Sequence, residues 1–92
     1  MEKYKNNKLV EPTDAIVLLN DNYESIGLKK GYVGTVVDNY IDKLGIILVD
    51  FFNPFTGEDI KNLIEIKAED FKVVSNSKED QLLVKAFRDL FR

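Results

Sequence analysis

Five short runs rich in Val, Ile, Leu and Phe constrain this chain more than any other feature. They are DAIVLLN from Asp14, VGTVVDNYI from Val33, IILVDFF from Ile46, NLIEIK from Asn62 and FKVV from Phe71. Gly, Pro, Asn or Asp bounds each of them, and β-branched, aromatic-rich runs closed off in this way read as strands. After Ser75 the period changes. Leu82, Leu83, Ala86, Phe87, Leu90 and Phe91 recur at the spacing of one helical face. Ser77 followed by Asp80 resembles a capping box, Glu79 and Asp80 suit a first turn, and Arg88 and Arg92 suit a last one. The pattern predicts a mainly β domain closed by a terminal amphipathic helix.

The connections carry topology. Residues 21–32, DNYESIGLKKGY, form a long polar excursion between the first two strands, whereas Asp42-Lys43-Leu44-Gly45 reads as a tight hairpin loop. NPFTGED from Asn53 holds Asn-Pro and Thr-Gly turn signals, and AEDF from Ala68 leaves room for one 3₁₀ turn. In IILVDFF, Ile47, Val49 and Phe51 share one face and Ile46, Leu48 and Phe52 the other, with only Asp50 breaking the second row. A strand apolar on both faces is covered on both, so the helix is predicted to cross the outer face of the sheet near this strand. Phe51 is assigned to the core. Three segments follow: a flexible arm over residues 1–12, a β domain over 13–75, and a helix packed on it over 76–92.

Glycines 27, 31 and 34 punctuate GLKKGYVG, yet neither phosphate cradle fits them. A P-loop needs Gly-Lys-Ser/Thr where Gly31 is followed by Tyr32, and a dinucleotide fingerprint must open a helix, whereas this stretch opens a strand. The geometry instead predicts a positive φ at Gly31 and a close approach or bulge at Gly34. Leu28-Lys-Lys-Gly-Tyr-Val-Gly-Thr-Val-Val37 resembles the strand-opening signature of small SH3-like barrels, including KOW-type modules. It is more similar still to a bacterial family of short uncharacterised SH3-like domains that end on Asp-Phe-x-Val-Val, as Asp70 to Val74 do here. The resemblance covers residues 14–74 and implies a five-stranded SH3-like small barrel carrying the C-terminal amphipathic α-helix. It also implies a ligand groove between the first long loop and the loop before the fourth strand. Tyr32 and Phe55 are the aromatic candidates for that groove, and Asp38, Asp42, Glu58 and Asp59 would form its acidic rim.

Composition narrows the chemistry. Ninety-two residues make one domain with a single core, and the absence of Cys and His removes disulfides, thiol nucleophiles, Cys/His zinc sites and the commonest general base. The carboxylates Asp38, Asp42, Asp50, Glu58, Asp59 and Glu65 form no Asp-x-Asp-x-Asp-Gly calcium loop, and strand alternation is expected to disperse them. No catalytic residue, metal site or cofactor is predicted. The N-terminal stretch lacks the apolar core of a signal peptide and no run is long enough to span a membrane, which points to a cytoplasmic protein.

The net charge of −3 is unevenly spread. Residues 11–70 hold five Lys against twelve Asp and Glu, while residues 1–10 and 71–92 each carry an excess of two basic groups. An acidic body repels a phosphate backbone and attracts a basic partner. The sequence therefore points to a non-catalytic protein-binding module. Its concrete form is an immunity or inhibitor protein that neutralises a cognate toxin by offering an acidic barrel face. A second reading is a KOW-like accessory domain contacting RNA, or the translation or transcription machinery, through Lys29, Lys30 and the basic ends. A third is a weak homodimer formed through an exposed Phe87 and Phe91.

Overall fold

The structure is a computed structural model that describes residues 10–92. Five strands follow one another: β1 (Ala15–Leu18), β2 (Val33–Tyr40), β3 (Ile46–Phe52), β4 (Asp59–Lys67) and β5 (Phe71–Val73). One helical turn, α1 (Ile41–Leu44), joins β2 to β3, and α2 (Lys78–Asp89) follows β5. Short 3₁₀ turns occupy Glu24–Ile26 and Ala68–Asp70. All five expected strands form, and β4 begins three residues before the predicted run. The expected hairpin loop at residues 42–45 is instead α1, closed by Gly45, whose N–H donates to the Ile41 carbonyl at 3.0 Å.

The strands pair antiparallel in the order β4-β3-β2-β1-β5. Strand pairing does not close this sheet into the expected barrel: β4 and β5 are its two ends. β5 is only three residues long, and the chain crosses from β4 to β5 through the 3₁₀ turn at Ala68–Asp70. Alternation puts Ile16 and Leu18, Val36, Ile47, Val49 and Phe51, Ile66 and Phe71 on the inner side, where they join Leu28 and Val10 in one buried cluster. Burying side chains of this size contributes roughly 1.5–3 kcal/mol each before the entropy of ordering them is subtracted. Val10 belongs to the expected N-terminal arm, and residues 1–9 of that arm lie outside the described residues.

The two glycines of the opening motif play different parts. Gly31 has φ 91°, a conformation that costs side-chain-bearing residues dearly, and its N–H donates to the Leu18 carbonyl at 2.9 Å. Gly34 lies in β2 facing the core: a Cβ there would overlap Val49 Cγ1 and stand 2.8 Å from the Phe51 ring. Close approach, not a bulge, explains Gly34; the bulge is three residues on, at Val37, where the β2 register against β3 shifts between Val36 and Asp38.

A buried polar hub fastens the long β1–β2 connection. Asp70 accepts from Asn20 Nδ2 at 2.9 Å, from Asn22 Nδ2 at 3.2 Å and from the Tyr23 hydroxyl at 2.7 Å. The same hydroxyl accepts from the Lys67 N–H at 2.9 Å. Burial, aided by the Asp70 carboxylate, pushes the Tyr23 phenol up to about 12 despite the opposing Lys67 N–H. Among the described residues no helix is long and apolar enough to cross a membrane.

Candidate functional site

The outer side of the sheet divides into two halves. In the first, cross-strand pairing aligns Lys72 of β5, Val17 of β1 and Val33 of β2. Val17 is only 1% exposed, because α2 lies across this row. At the near end of α2, Asp80 is buried and takes an ion pair from Lys72 Nζ at 2.7 Å together with the N–H and Oγ of Ser75, each at 2.8 Å. Ser77 accepts from the Asp80 N–H at 3.1 Å, which is the first half of the expected capping box. The second half is absent, since the Asp80 carboxylate turns to β5 and Ser75 rather than back to the Ser77 N–H. Lys72 first, then the two Ser75 donors, hold this carboxyl down at about 2.

At the far end of α2, Phe87 is 4% exposed and meets the Tyr32 ring edge-on at 5.4 Å. Phe91 meets Tyr32 at 5.9 Å and Phe87 at 5.2 Å. Phe55 lies beneath the guanidinium groups of Arg88 and Arg92, 5.4 and 5.9 Å from its ring centre. The end of α2 thus lies between Tyr32 and Phe55, the two aromatics expected to share a groove. This also corrects two further expectations. The helix runs from Lys72 of β5 to Val33 of β2 and meets β3 at Phe52, and Phe87 is buried within the chain rather than exposed for a second copy.

The second half of the outer side belongs to β2, β3 and β4. Pairing sets Asp38, Leu48 and Glu65 in one row, Tyr40, Ile46 and Lys67 in the next, and Thr35 opposite Asp50 in the row before. Directly opposed residues of an antiparallel sheet share a face, so these side chains form one surface. The Tyr40 hydroxyl donates to Asp38 Oδ2 at 2.8 Å, a bond that raises the phenol above its ordinary value. Beside it, a hollow of about 310 Å³ is lined by residues Asn39 to Lys43. The register of β4 slips opposite Asp50, where Val49 faces Ile64 but Phe51 faces Lys61. Leu63 sits in that slip with φ 55°, 58% exposed, and its N–H donates to Asp50 Oδ1 at 2.8 Å. A leucine rarely adopts this left-handed conformation, and Asp50 holds it there.

The structure does not bring the six residues expected to bind a partner into one cluster. Asp38 lies on the open β2-β3-β4 face. Asp42 is in α1, at one end of β3, whereas Phe55, Glu58 and Asp59 are at the other end, and seven strand residues separate those ends by roughly 20 Å. Tyr32 is committed to Phe87 and Phe91. Asp59 accepts from Asn62 Nδ2 at 3.0 Å, within its own strand. Lys29 and Lys30 are exposed in the turn before β2, where the Lys30 N–H donates to Asp21 Oδ1 at 2.8 Å.

Sequence reasoning passed over Leu48 and Leu63 as surface residues and treated Asp50 and Glu65 only as scattered carboxylates. The apolar outer row of IILVDFF was the available signal for Leu48. Nothing in DIKNLIEIK announces the slip at Leu63. Chemically, this face offers three carboxylates and one lysine around an aliphatic and aromatic centre. No group of three or more carboxylates among the described residues is placed to hold a metal ion. No protein-family description and no curated protein matches the chain by sequence.

Proposed function

We propose that this chain is a non-catalytic protein-binding module that recognises a basic surface on another protein through the open β2-β3-β4 face. The observation that carries the reading is the row Asp38–Leu48–Glu65, in which an apolar centre is flanked by two carboxylates. Apolar contact supplies affinity at the centre of such a face, and the carboxylates steer a cationic partner and reject an anionic one. Tyr40, Ile46 and the exposed Leu63 extend the apolar centre, and Asp50 extends the rim.

In its concrete form the module is an immunity or inhibitor protein that neutralises a cognate toxin in the cytoplasm. The scaffold is read as an SH3-like barrel. The strand order, with β1 between β2 and β5, and the 3₁₀ turn before β5 support that reading, as does the Lys29 to Val37 opening motif. Co-expression with the product of the adjacent reading frame tests the function. Rescue of growth by the native chain and loss of rescue by an Asp38→Lys/Glu65→Lys variant of unchanged melting temperature is the expected result. Reversing two rim charges should weaken a purified complex by at least about 2 kcal/mol. Equal rescue by both chains sinks the proposed face. Tight binding of generic RNA, with a salt dependence of several phosphates, favours the KOW-like accessory role instead.

A further inference from the structure

A second surface lies at the C-terminal end of α2. There the helix and the β3–β4 turn enclose a groove of about 260 Å³ lined by Val33, Thr35, Phe52, Pro54, Val84 and Arg88. Its walls are aliphatic and aromatic except for the Thr35 hydroxyl and the Arg88 guanidinium. Phe55 follows Pro54 at the rim and stays 48% exposed although two guanidinium groups lie over it. A cation–π contact orients a guanidinium without neutralising it.

The cations at this end are not equivalent. Lys85 and Arg92 both pair with the Asp89 carboxylate, at 3.2 and 2.8 Å. Arg88 has no carboxylate within 4.0 Å among the described residues. It stands beside the apolar groove with no carboxylate on its fork among the described residues, and that planar fork matches a carboxylate in two parallel hydrogen bonds. Lys85, Arg88 and Arg92 against the single Asp89 leave this end of the helix positive, on a chain whose residues 11–70 are strongly acidic.

We infer that this groove docks an acidic linear segment of a partner protein, which lays one large apolar side chain between α2 and the β3–β4 turn and sets a carboxylate on Arg88. Local charge selects the occupant: Arg88 is the one charged side chain among the residues that line the groove, and its fork favours a carboxylate over a neutral or cationic group. The size agrees, because the groove falls below the ~300 Å³ at which small-molecule pockets begin and suits one side chain rather than a whole ligand. A nucleic-acid strand brings many phosphates and must lie against the acidic body as well. The groove adjoins the sheet face at Thr35 but does not depend on the function proposed for that face.

Fluorescence anisotropy with short labelled peptides tests the inference. The probes are Glu/Ser/Gly peptides carrying a single Phe, Leu or Ile, the same peptides with Gln for Glu, and labelled oligo(U). A Glu peptide should bind and its Gln counterpart should bind about tenfold or more weakly, as expected for loss of a bidentate charge-assisted contact. Arg88→Gln should erase that difference, Arg88→Lys should restore part of it, and Val84→Phe should block binding by filling the groove. Arg88 is exposed, so thermal melts of the Gln and Lys variants should match the native chain. Three results overturn the inference: no binding by any Glu peptide, equal binding of Glu and Gln peptides, or oligo(U) binding through Arg88 in place of the peptides.

Discussion

Val17 and Leu48 both face the outer side of the same sheet, from β1 and β3, and they meet different neighbours. Val17 lies between Lys72 and Val33, in a row that α2 covers, with Asp80 anchoring one end of the helix and Phe87 the other. Leu48 lies between Asp38 and Glu65, two exposed carboxylates. The covered half is organised as a core requires: its one buried carboxylate has a lysine and two hydroxyl or amide donors. The open half mixes aliphatic side chains with carboxylates that a core would exclude. Folding alone accounts for the first arrangement. The second arrangement is the one that the proposed binding role would use.

Truncating one residue in each half should expose this difference most sharply. Phe87→Ala removes the ring that joins α2 to Tyr32 and should cost about 3–5 kcal/mol. Leu48→Ala, at a half-buried side chain, should cost about 1–2 kcal/mol. Urea titrations of both variants measure the gap. Equal losses would mean that the two halves are packed alike and that the open face is part of the core.

The elements of this fold were legible and the partition of its surface was not. Strand runs, the 3₁₀ turn at Ala68–Asp70 and the Ser77 cap are local properties, fixed by alternation, turn residues and one side-chain hydrogen bond. Which half the helix covers depends on a long-range contact. Lys72 and Asp80 are eight positions apart, and their pairing is one of several that the charges of the segment allow. The same docking decides the surroundings of Tyr32 and Phe55, which no local pattern announces: Tyr32 meets Phe87 and Phe91, and Phe55 meets the guanidinium groups of Arg88 and Arg92. The register slip at Leu63 was hidden because period-2 alternation assumes an unbroken ladder.

Acid should loosen the covered half selectively. The Asp80 carboxyl is held at about 2 in the folded chain, against roughly 3.9 for an unfolded aspartate. Its folded value is the lower one, so its contribution is complete above about pH 4 and is lost as pH falls toward 2. The melting temperature of the native chain should therefore drop more steeply over that interval than that of Asp80→Asn, which lacks the titrating group. Parallel curves for the two chains would show that the Lys72–Asp80 pair does not hold the helix to the sheet.

The smallest effect concerns the open half and has the opposite sign. Leu63 adopts φ 55° and leaves most of its side chain in water, so folding gains little from the leucine and loses something to its backbone. Replacing it with glycine removes a left-handed penalty of roughly 1–2 kcal/mol, partly offset by the greater freedom that glycine gives the unfolded chain, for a net gain of up to about 1 kcal/mol. Leu63→Gly should accordingly melt slightly higher than the native chain while binding the basic partner less well. That outcome would support a contact role, under the proposed function, for a leucine on a bulge held by Asp50 beside the Asp38–Leu48–Glu65 row. If Leu63→Gly instead melts lower and binds equally well, Leu63 supports the strand, and the apolar centre of the open face contracts to Tyr40, Ile46 and Leu48.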